Sequence, residues 1–476
     1  MLQYMVKKCC SEGTKLNQIL ISALVVLPIF SYGTAVGWLS PMGPKLMADK
    51  NLNVSAEVVS WMASVVYLVG IPAVFIFGYI VDNYGRKKAL MLTSFFMTLC
   101  WGLKLYSTST WALITARAIM GLGVSGSYVV TPLYIKEISE DSIRGTLGSL
   151  VVLSQNLGNL VVYVMGAYLD YYLVLWICLA VPLLHLLVFT SMPETPSYLL
   201  KIGKTEEARE ALAWLLCREK TEAVVENHLQ LLVQEKQQEN KSGCFKDAVK
   251  TLVSDRSTFR AFRIVVFITL ARELCGCLAV LHFASKIFDE ASAGHTGWVL
   301  TPNQQAAVLG VVQFVGSCTA STLVERTGRK PLLAVTCLVS GAAMCLLGAW
   351  FAYGGGGWLP VAALCLCIYC DAAGIQPVPF VILTEMFSFQ LRGTVTSLVM
   401  AFACALVSME LRFFHPLASL AGMYTIFWIF SGVCFMSTVY IVIYVPETRM
   451  RTLEDIYAEI GGIKHPKDCE PDVTRL

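Results

Sequence analysis

The sequence predicts an all-α membrane protein made of two repeated six-helix bundles, and three observations carry that prediction. Of 476 residues, 56% are hydrophobic and only 14% charged, well below the quarter typical of soluble domains. The apolar residues gather into runs of about 20, the length that crosses a ~30 Å hydrocarbon core as a helix. A set of short charged signatures also occurs twice, about half the chain apart. DNYGRKK (82–88) returns as ERTGRKP (325–331), and Glu137, seven residues before Arg144-Gly145, returns as Glu385, seven before Arg392-Gly393. Pro193-Glu194-Thr195 likewise returns as Pro446-Glu447-Thr448. Such a parallel repeat in an apolar chain indicates duplicated bundles of membrane helices.

The twelve predicted spans lie near 17–39, 58–81, 89–108, 111–134, 146–168, 172–191, 260–288, 304–325, 331–352, 358–384, 393–414 and 422–445. They group into an N-terminal bundle (1–193), a cytoplasmic helical linker (194–258), a C-terminal bundle (259–446) and a cytoplasmic tail (447–476). An even span count puts both termini on one side. That side gathers Lys7, Lys8, Lys15, Arg86 to Lys88, Lys136, Arg144, Arg326, Arg329, Lys330 and Arg392, against Lys45, Lys50, Lys286 and Arg412 opposite. Basic residues in short loops stay in the cytoplasm, so both termini are expected there. The first run is too long for a cleaved leader and has no small-residue cleavage site after it, so it reads as span 1.

The seventeen Cys have no paired spacing, which argues against a disulfide framework or a zinc site and for small apolar packing residues. Cys9 and Cys10, beside Lys7 and Lys8, are either a palmitoylation site or an unmodified tail. Asn53-Val54-Ser55 is a glycosylation sequon in a predicted outer loop. In the linker, TEEAREALAWLL (205–216) places Ala208, Ala211, Leu212 and Leu215 on one stripe, as for a helix lying on the cytoplasmic face of the bundles.

The repeated charges fall at short cytoplasmic turns. They mark topology, or they form a latch in which Asp82, Arg86, Glu325 and Arg329 pair with Glu137, Arg144, Glu385 and Arg392 on neighbouring helix ends, closing the cytoplasmic side in one state. Two copies in one order favour the latch.

Taken together, GYIVDNYGRKK (78–88), RAIMG (117–121), PLYIKEIS with IRG (132–145), PETPSYLL (193–200), ERTGRK (325–330), PVPFVILTEMFSFQLRG (377–393) and PETRMRTLEDI (446–456) resemble the sugar porter family of the major facilitator superfamily. YGTAVGWLSP (32–41) and PETPSYLLKIGKTEEA (193–208) look most like the insect facilitated trehalose transporters. The resemblance implies the major facilitator fold and an intracellular gate of Asp82, Arg86, Glu137, Arg144, Glu194, Glu325, Arg329, Glu385, Arg392 and Glu447.

The substrate positions depart from that family. Arg272 and Glu273 stand where its span 7 has a Gln pair, Leu278 where it has Asn, Val152 at the span 5 Gln, Phe380 at the span 10 Trp, and Ala403-Cys404 at the Asn-Trp of span 11. Gln155, Asn156 and Asn159 share the face of Val152, and Gln313, Ser31, Tyr32 and Thr34 add further groups for a rebuilt polyol site. Each amide has the alternative of joining helix to helix. Arg272 and Glu273 are neighbours, projecting about 100° apart, so a mutual salt bridge is awkward and each is expected to face its own partner. His282 is a gate or a packed neutral ring. Asp371, Glu410 and Arg117 carry charge at membrane depth, while Lys104 is placed to snorkel to an interface.

The resulting expectation is a plasma-membrane porter moving a small solute, trehalose or a hexose, by alternating access. Proton-linked members of the family carry an Asp in span 1, and SYGTAVGWLS (31–40) has no acid, so facilitated diffusion is expected. The alternatives are a same-fold porter of a charged or non-sugar solute and a non-transporting sensor. No phosphate loop, metal-ligand set or nucleophile motif calls for an enzyme, a cofactor or a metal. The expected partners are the solute and the bilayer, not nucleic acid, and nothing in the sequence speaks to oligomeric state.

Overall fold

The computed structural model describes residues 15–49, 54–239, 250, 252–292, 300–354, 358–387 and 389–461. Asn53, Cys9 and Cys10 lie outside them. The described chain is helical, and its long helices are α1 (Leu16–Ala48), α2 (Ala56–Tyr84), α3 (Arg86–Tyr106), α4 (Thr110–Ile138), α5 (Gly145–Tyr168), α6 (Tyr171–Phe189), α7 (Arg256–Ala291), α8 (Pro302–Thr327), α9 (Arg329–Tyr353), α10 (Leu359–Met386), α11 (Leu391–Ala421) and α12 (Met423–Tyr444). Eleven are long and apolar enough to cross a bilayer. The twelfth, α8, has 26 residues, about 39 Å at 1.5 Å per residue, and its Gln313 and Ser317 face the other bundle.

Helix starts follow from capping chemistry. Ser55 accepts from the Val58 N–H (3.3 Å) at α2, and Asp255 from the Thr258 N–H (2.9 Å) at α7. Thr301 and Gln304 form a reciprocal capping box at α8, satisfying backbone donors that the first helical turn leaves unpaired. Aromatic rings exposed at the loop ends away from the linker, among them Tyr106, Trp111, Tyr168, Tyr353 and Trp358, form the belt expected at a membrane–water boundary. The outer faces between are lined by exposed Leu, Ile, Val and Phe, the surface that lipid covers in a multi-pass membrane protein.

Three helices are interrupted, and each break has a local cause. In α7 the helix ends at Leu274 and restarts at Cys277. Between them Gly276 has φ +84°, and the Phe430 ring occupies the place a Cβ would take, 2.2 Å away. In α10 residues Asp371–Ile375 form a π-helical turn just before Gln376-Pro377, since proline cannot donate to the preceding turn. In α1 the breaks fall at Val26, before Pro28, and at Trp38. Helix α1 runs past its expected end to Ala48, where Lys45 Nζ donates to the Gly166 and Leu169 carbonyls (3.0 and 3.3 Å) at the end of α5.

The linker helix Thr205–Leu215 buries Ala208, Ala211, Leu212 and Leu215, the stripe read from the sequence. It docks on α1: Asn17 donates to the Trp214 carbonyl (2.6 Å), and Gln18 bonds Glu140 (3.1 Å) beyond the end of α4.

At the linker side the two bundles repeat one construction. The α2–α3 turn passes through Gly85 (φ +97°) and the α8–α9 turn through Gly328 (φ +91°). The carboxylates of Glu194 and Glu447 fill the space beside these glycines, where a Cβ would meet them at 2.3 and 2.7 Å. Glu194 accepts from the backbone N–H of Arg86 (3.2 Å) and Lys87 (3.0 Å), and Glu447 from those of Arg329 (3.1 Å) and Lys330 (3.2 Å). An anion at a helix N-terminus meets both the unpaired donors and the positive end of the helix dipole. Burial pushes the Glu194 carboxyl above its usual range, against the downward pull of the Thr195 and Lys87 N–H groups and the Arg86 charge.

Losing one such cap costs about 1 kcal/mol. Glu194→Ala and Glu447→Ala are therefore expected to lower the melting temperature of the detergent-purified protein by similar amounts, with Gly85→Val and Gly328→Val, which add strain and a clash, lowering it further. Equal melting of wild type and both Glu variants would mean that the caps carry no stability.

Candidate functional site

Two groups of residues stand out, a charge clamp in each bundle and a polar seam between the bundles. In the clamp, Arg86 Nη2 and Nε donate to Glu137 Oε1 (2.8 and 3.0 Å) while Nη1 donates to the Val81 carbonyl (3.2 Å). Arg329 repeats this with Glu385 Oε1 (2.9 and 3.2 Å) and the Val324 carbonyl (3.3 Å). Thr448 adds a bond to Glu385 (2.5 Å), and Tyr134 donates to the Pro193 carbonyl (2.6 Å). Each clamp ties α3 to α4, or α9 to α10, and to the segment leaving α6 or α12.

Arg86 pairs with Glu137 and Arg329 with Glu385, partners named for the latch, and both ion pairs lie within their own bundles in this conformation. The other expected pairings are corrected in two respects. Asp82 pairs with Lys201 (3.5 Å) on the linker rather than with a gate arginine, and Glu325 lies 3.5 Å from Arg329 of its own turn. Arg392 donates to the Phe387 carbonyl (3.3 Å), which ends its own turn, instead of to an acid. The side chain of Arg144 lies outside the described residues.

The seam joins α5 to α8 and α10, α2 to α11, and α1 and α2 to α7. Asn159 Nδ2 donates to Gln313 Oε1 (2.8 Å), and Asn156 Nδ2 to Ser317 Oγ (2.5 Å) and Gln376 Oε1 (3.4 Å). Tyr67 hydroxyl lies 3.2 Å from His282 Nε2 and 3.4 Å from the Tyr32 hydroxyl. Tyr163 donates to the Leu281 carbonyl, and Ser40 and Ser285 meet at 3.1 Å. Nearer the face away from the linker, Ser408 donates to the Ser64 carbonyl (3.2 Å) and Arg412 pairs with Glu57 (2.9 Å) while lying 4.6 Å from the Trp61 ring centre. These contacts between bundles lie at the middle and far levels, so the far side is closed.

Glycines let α1 and α5 come close enough to build this layer. A Cβ at Gly33 would fall within 1.9 Å of the Gln155 carbonyl oxygen, one at Gly37 within 2.1 Å of Asn159 Oδ1, and one at Gly158 within 2.2 Å of the Phe30 carbonyl. Buried Asn156 Oδ1, Asn159 Oδ1 and His282 Nδ1 have no hydrogen-bond partner. Such groups in a dry interior each cost about 1–3 kcal/mol, so they are ready to meet a polar ligand.

Of the residues expected to bind substrate, Asn156, Asn159, Gln313 and His282 come together in the seam. Gln155 instead bonds the Tyr128 hydroxyl on α4, and Thr34 donates to the Ser31 carbonyl of its own helix (2.8 Å). Arg272, Glu273 and Phe380 form a second group. Here the expectation of separate partners is overturned: Arg272 Nη1 lies 2.8 Å from Glu273 Oε1, and the guanidinium sits 4.9 Å from the Phe380 ring centre. The pair ends the first segment of α7, one residue before the helix stops, and two long flexible side chains close the angle that their Cα positions open. Lys104 does not snorkel. It is fully buried, with Nζ 3.9 and 4.1 Å from the Trp38 and Trp101 ring centres, a cation–π sandwich. Arg117 donates to the Met62 and Ala35 carbonyls (2.7 and 2.6 Å), tying α4 to α2 and α1.

Sequence reasoning missed Tyr67, Tyr128, Ser317, Gln376 and the Glu57–Arg412 pair. Gln376, directly before the Pro-x-Pro turn, carried a usable signal, whereas isolated Tyr and Ser residues in apolar runs carried none.

A model of the family described as "Sugar (and other) transporter" matches residues 17–459. The chain belongs to this family. Relatives include the facilitated trehalose transporter Tret1 of Drosophila virilis, 27% identical over 94% of this chain and 49% of that protein. The Bombyx mori Tret1 is 27% identical over 92% of this chain and 86% of that protein. The chain thus spans about half the length of the Drosophila relative. Among solved structures, the inward open conformation of the xylose transporter XylE from E. coli aligns with TM-score 0.76 at 19% identity, covering 93% of this chain and 99% of that one. The fold is the major facilitator fold.

Removing one partner of a buried ion pair costs about 3–5 kcal/mol, whereas replacing both is far milder. Arg272→Met alone is therefore expected to lower the melting temperature well below that of the double variant Arg272→Met/Glu273→Gln. The reverse order would show that the two side chains are not a pair.

Proposed function

We propose that this protein carries a neutral polyol, trehalose or a hexose, across the membrane by alternating access and facilitated diffusion. The observation that carries this reading is the mid-depth amide layer, Asn156, Asn159, Gln313 and Gln376, lying between the two bundles with the carbonyl oxygens of Asn156 and Asn159 unpaired. Hydroxyl groups of a sugar supply donors to those oxygens, and switching of the Asn159–Gln313 bond between partner and sugar couples binding to the seam. Tyr32, Tyr67 and His282 add an aromatic wall. The charges of Arg272 and Glu273 offset each other at 2.8 Å, which favours a neutral solute over an ionic one. The names of the relatives, trehalose transporters, agree with this substrate class.

In this account residues 1–193 and 259–446 are the two moving bodies, 194–258 the linker between them and 447–476 a tail. We place the linker side in the cytoplasm, a reading the Lys and Arg bias supports, and the protein in the plasma membrane. The clamps of Arg86, Glu137 and Glu194, and of Arg329, Glu385 and Glu447, keep each body rigid and act as gate elements, with Asp82, Glu325, Arg144 and Arg392 beside them. Span 1 has no acid between Ser31 and Ser40, which supports a uniport cycle.

The test is uptake of labelled trehalose and glucose into proteoliposomes holding the full chain, with and without a pH gradient. Expected is uptake that equilibrates without a gradient and falls about tenfold in Gln313→Ala or Asn159→Ala, the loss of one buried hydrogen bond worth ~1.4 kcal/mol. Folded protein that moves neither sugar would overturn this reading, and uptake only with a gradient would overturn the uniport.

A further inference from the structure

The interior of the C-terminal bundle holds a cluster of thiols beside a carboxylate, apart from the amide seam. The Sγ atoms of Cys275 and Cys277 and a carboxylate oxygen of Asp371 lie within 4.8 Å of one another, and all three residues are buried. Cys367 Sγ is 3.5 Å from Cys277 Sγ. Two sulfurs and one oxygen, contributed by α7 and α10, are therefore gathered around one point, with the Cys367 thiol beside Cys277.

We propose that Cys275, Cys277 and Asp371 bind a thiophilic divalent cation such as Zn2+, with a water molecule in the fourth position. Thiolate and carboxylate are ligands of tetrahedral zinc sites, where metal–sulfur distances of about 2.3 Å put neighbouring sulfurs roughly 3.8 Å apart. The 4.8 Å spread contracts to that geometry by shifts of about an ångström. Local backbone makes the convergence possible. Cys275 and Cys277 flank Gly276, whose positive φ ends the first helical segment of α7, so both thiols reach one side of the break. Asp371 opens the π-helical turn of α10. Binding converts two thiols to thiolates and releases their protons to solvent. Two thiolates and the Asp371 carboxylate around a 2+ ion leave one negative charge, which Arg272, close enough to act electrostatically on Asp371, offsets.

The site joins the two hinge-capable breaks of the C-terminal bundle. Occupancy fixes α7 to α10 and so slows any cycle in which these breaks flex. That consequence rests on the transport reading, but the binding itself does not.

The experiment uses the full-length protein in detergent, stripped with chelator and titrated with Cd2+ while the ultraviolet sulfur-to-cadmium charge-transfer band is followed, with Zn2+ as competitor. Expected is a saturable band of one ion per chain, displaced by Zn2+. Altering even a group behind a metal ligand weakens affinity about 10–100-fold, so Cys277→Ser and Asp371→Asn are each expected to weaken binding by tenfold or more. Cys318→Ser and Cys345→Ser, at exposed positions, are expected to leave it unchanged. Size-exclusion elution confirms that each protein is folded, and a Zn2+-induced rise in melting temperature of the wild type provides a second readout independent of any variant. No saturable band in the wild type, or a band lost only when Cys318 or Cys345 is replaced, would overturn the proposal.

Discussion

The structure depends on how charge is held at the edge of the hydrocarbon. A short turn between two membrane helices cannot leave an arginine and two glutamates unpaired at that depth without a cost of several kcal/mol. Both bundles meet this constraint in one way. A glycine with positive φ opens the turn, a carboxylate from the segment after the sixth helix fills the space beside it, and the following arginine is held by a glutamate from the fourth helix. Because the carboxylate and the missing Cβ compete for one volume, the glycine and the distant Pro-Glu-Thr segment specify each other. Turn, cap and ion pair together close six helices into one body.

The contacts between the bodies are of a different kind. They are mostly single hydrogen bonds between neutral groups, Asn159 to Gln313, Asn156 to Ser317, Tyr67 to His282, with the exposed Glu57–Arg412 pair at the far rim. Hydrogen bonds between membrane helices average about 0.6 kcal/mol, against 3–5 for breaking a buried ion pair. The difference decides which contacts give way first. The seam is labile and the clamps are not, so motion separates the bodies before it deforms either one.

The fold was legible because its determinants are periodic or repeated. Runs of about 20 apolar residues located the helices, and the duplicated motifs fixed the pseudosymmetry. The linker stripe Ala208, Ala211, Leu212 and Leu215 followed from 3.6-residue spacing. The site was legible only in part. Asn156, Asn159 and Gln313 were found because an amide in an apolar run is conspicuous, but a helical face does not say which partner lies across it, so the local partners of Gln155 and Thr34 were not foreseen. The Arg272–Glu273 pair was misjudged because Cα geometry of a continuous helix was applied one residue before the helix ends. Lys104 was misplaced because its partners, Trp38 and Trp101, lie on different helices. The thiol cluster was hidden for the same reason, since Cys275 and Cys277 meet Asp371 of α10 only where α7 breaks.

The central claim is that two rigid bodies rock about the amide seam. Spin labels introduced at Tyr84 and Thr327 on the linker side, and at Tyr106 and Tyr353 on the far side, all exposed positions, report the separation of the bodies at both faces when distances are measured by pulsed electron resonance with and without sugar. The account predicts opposed changes, with the linker-side distance shortening as the far-side distance lengthens. Distances that stay fixed at both faces, or change in the same direction, would contradict it.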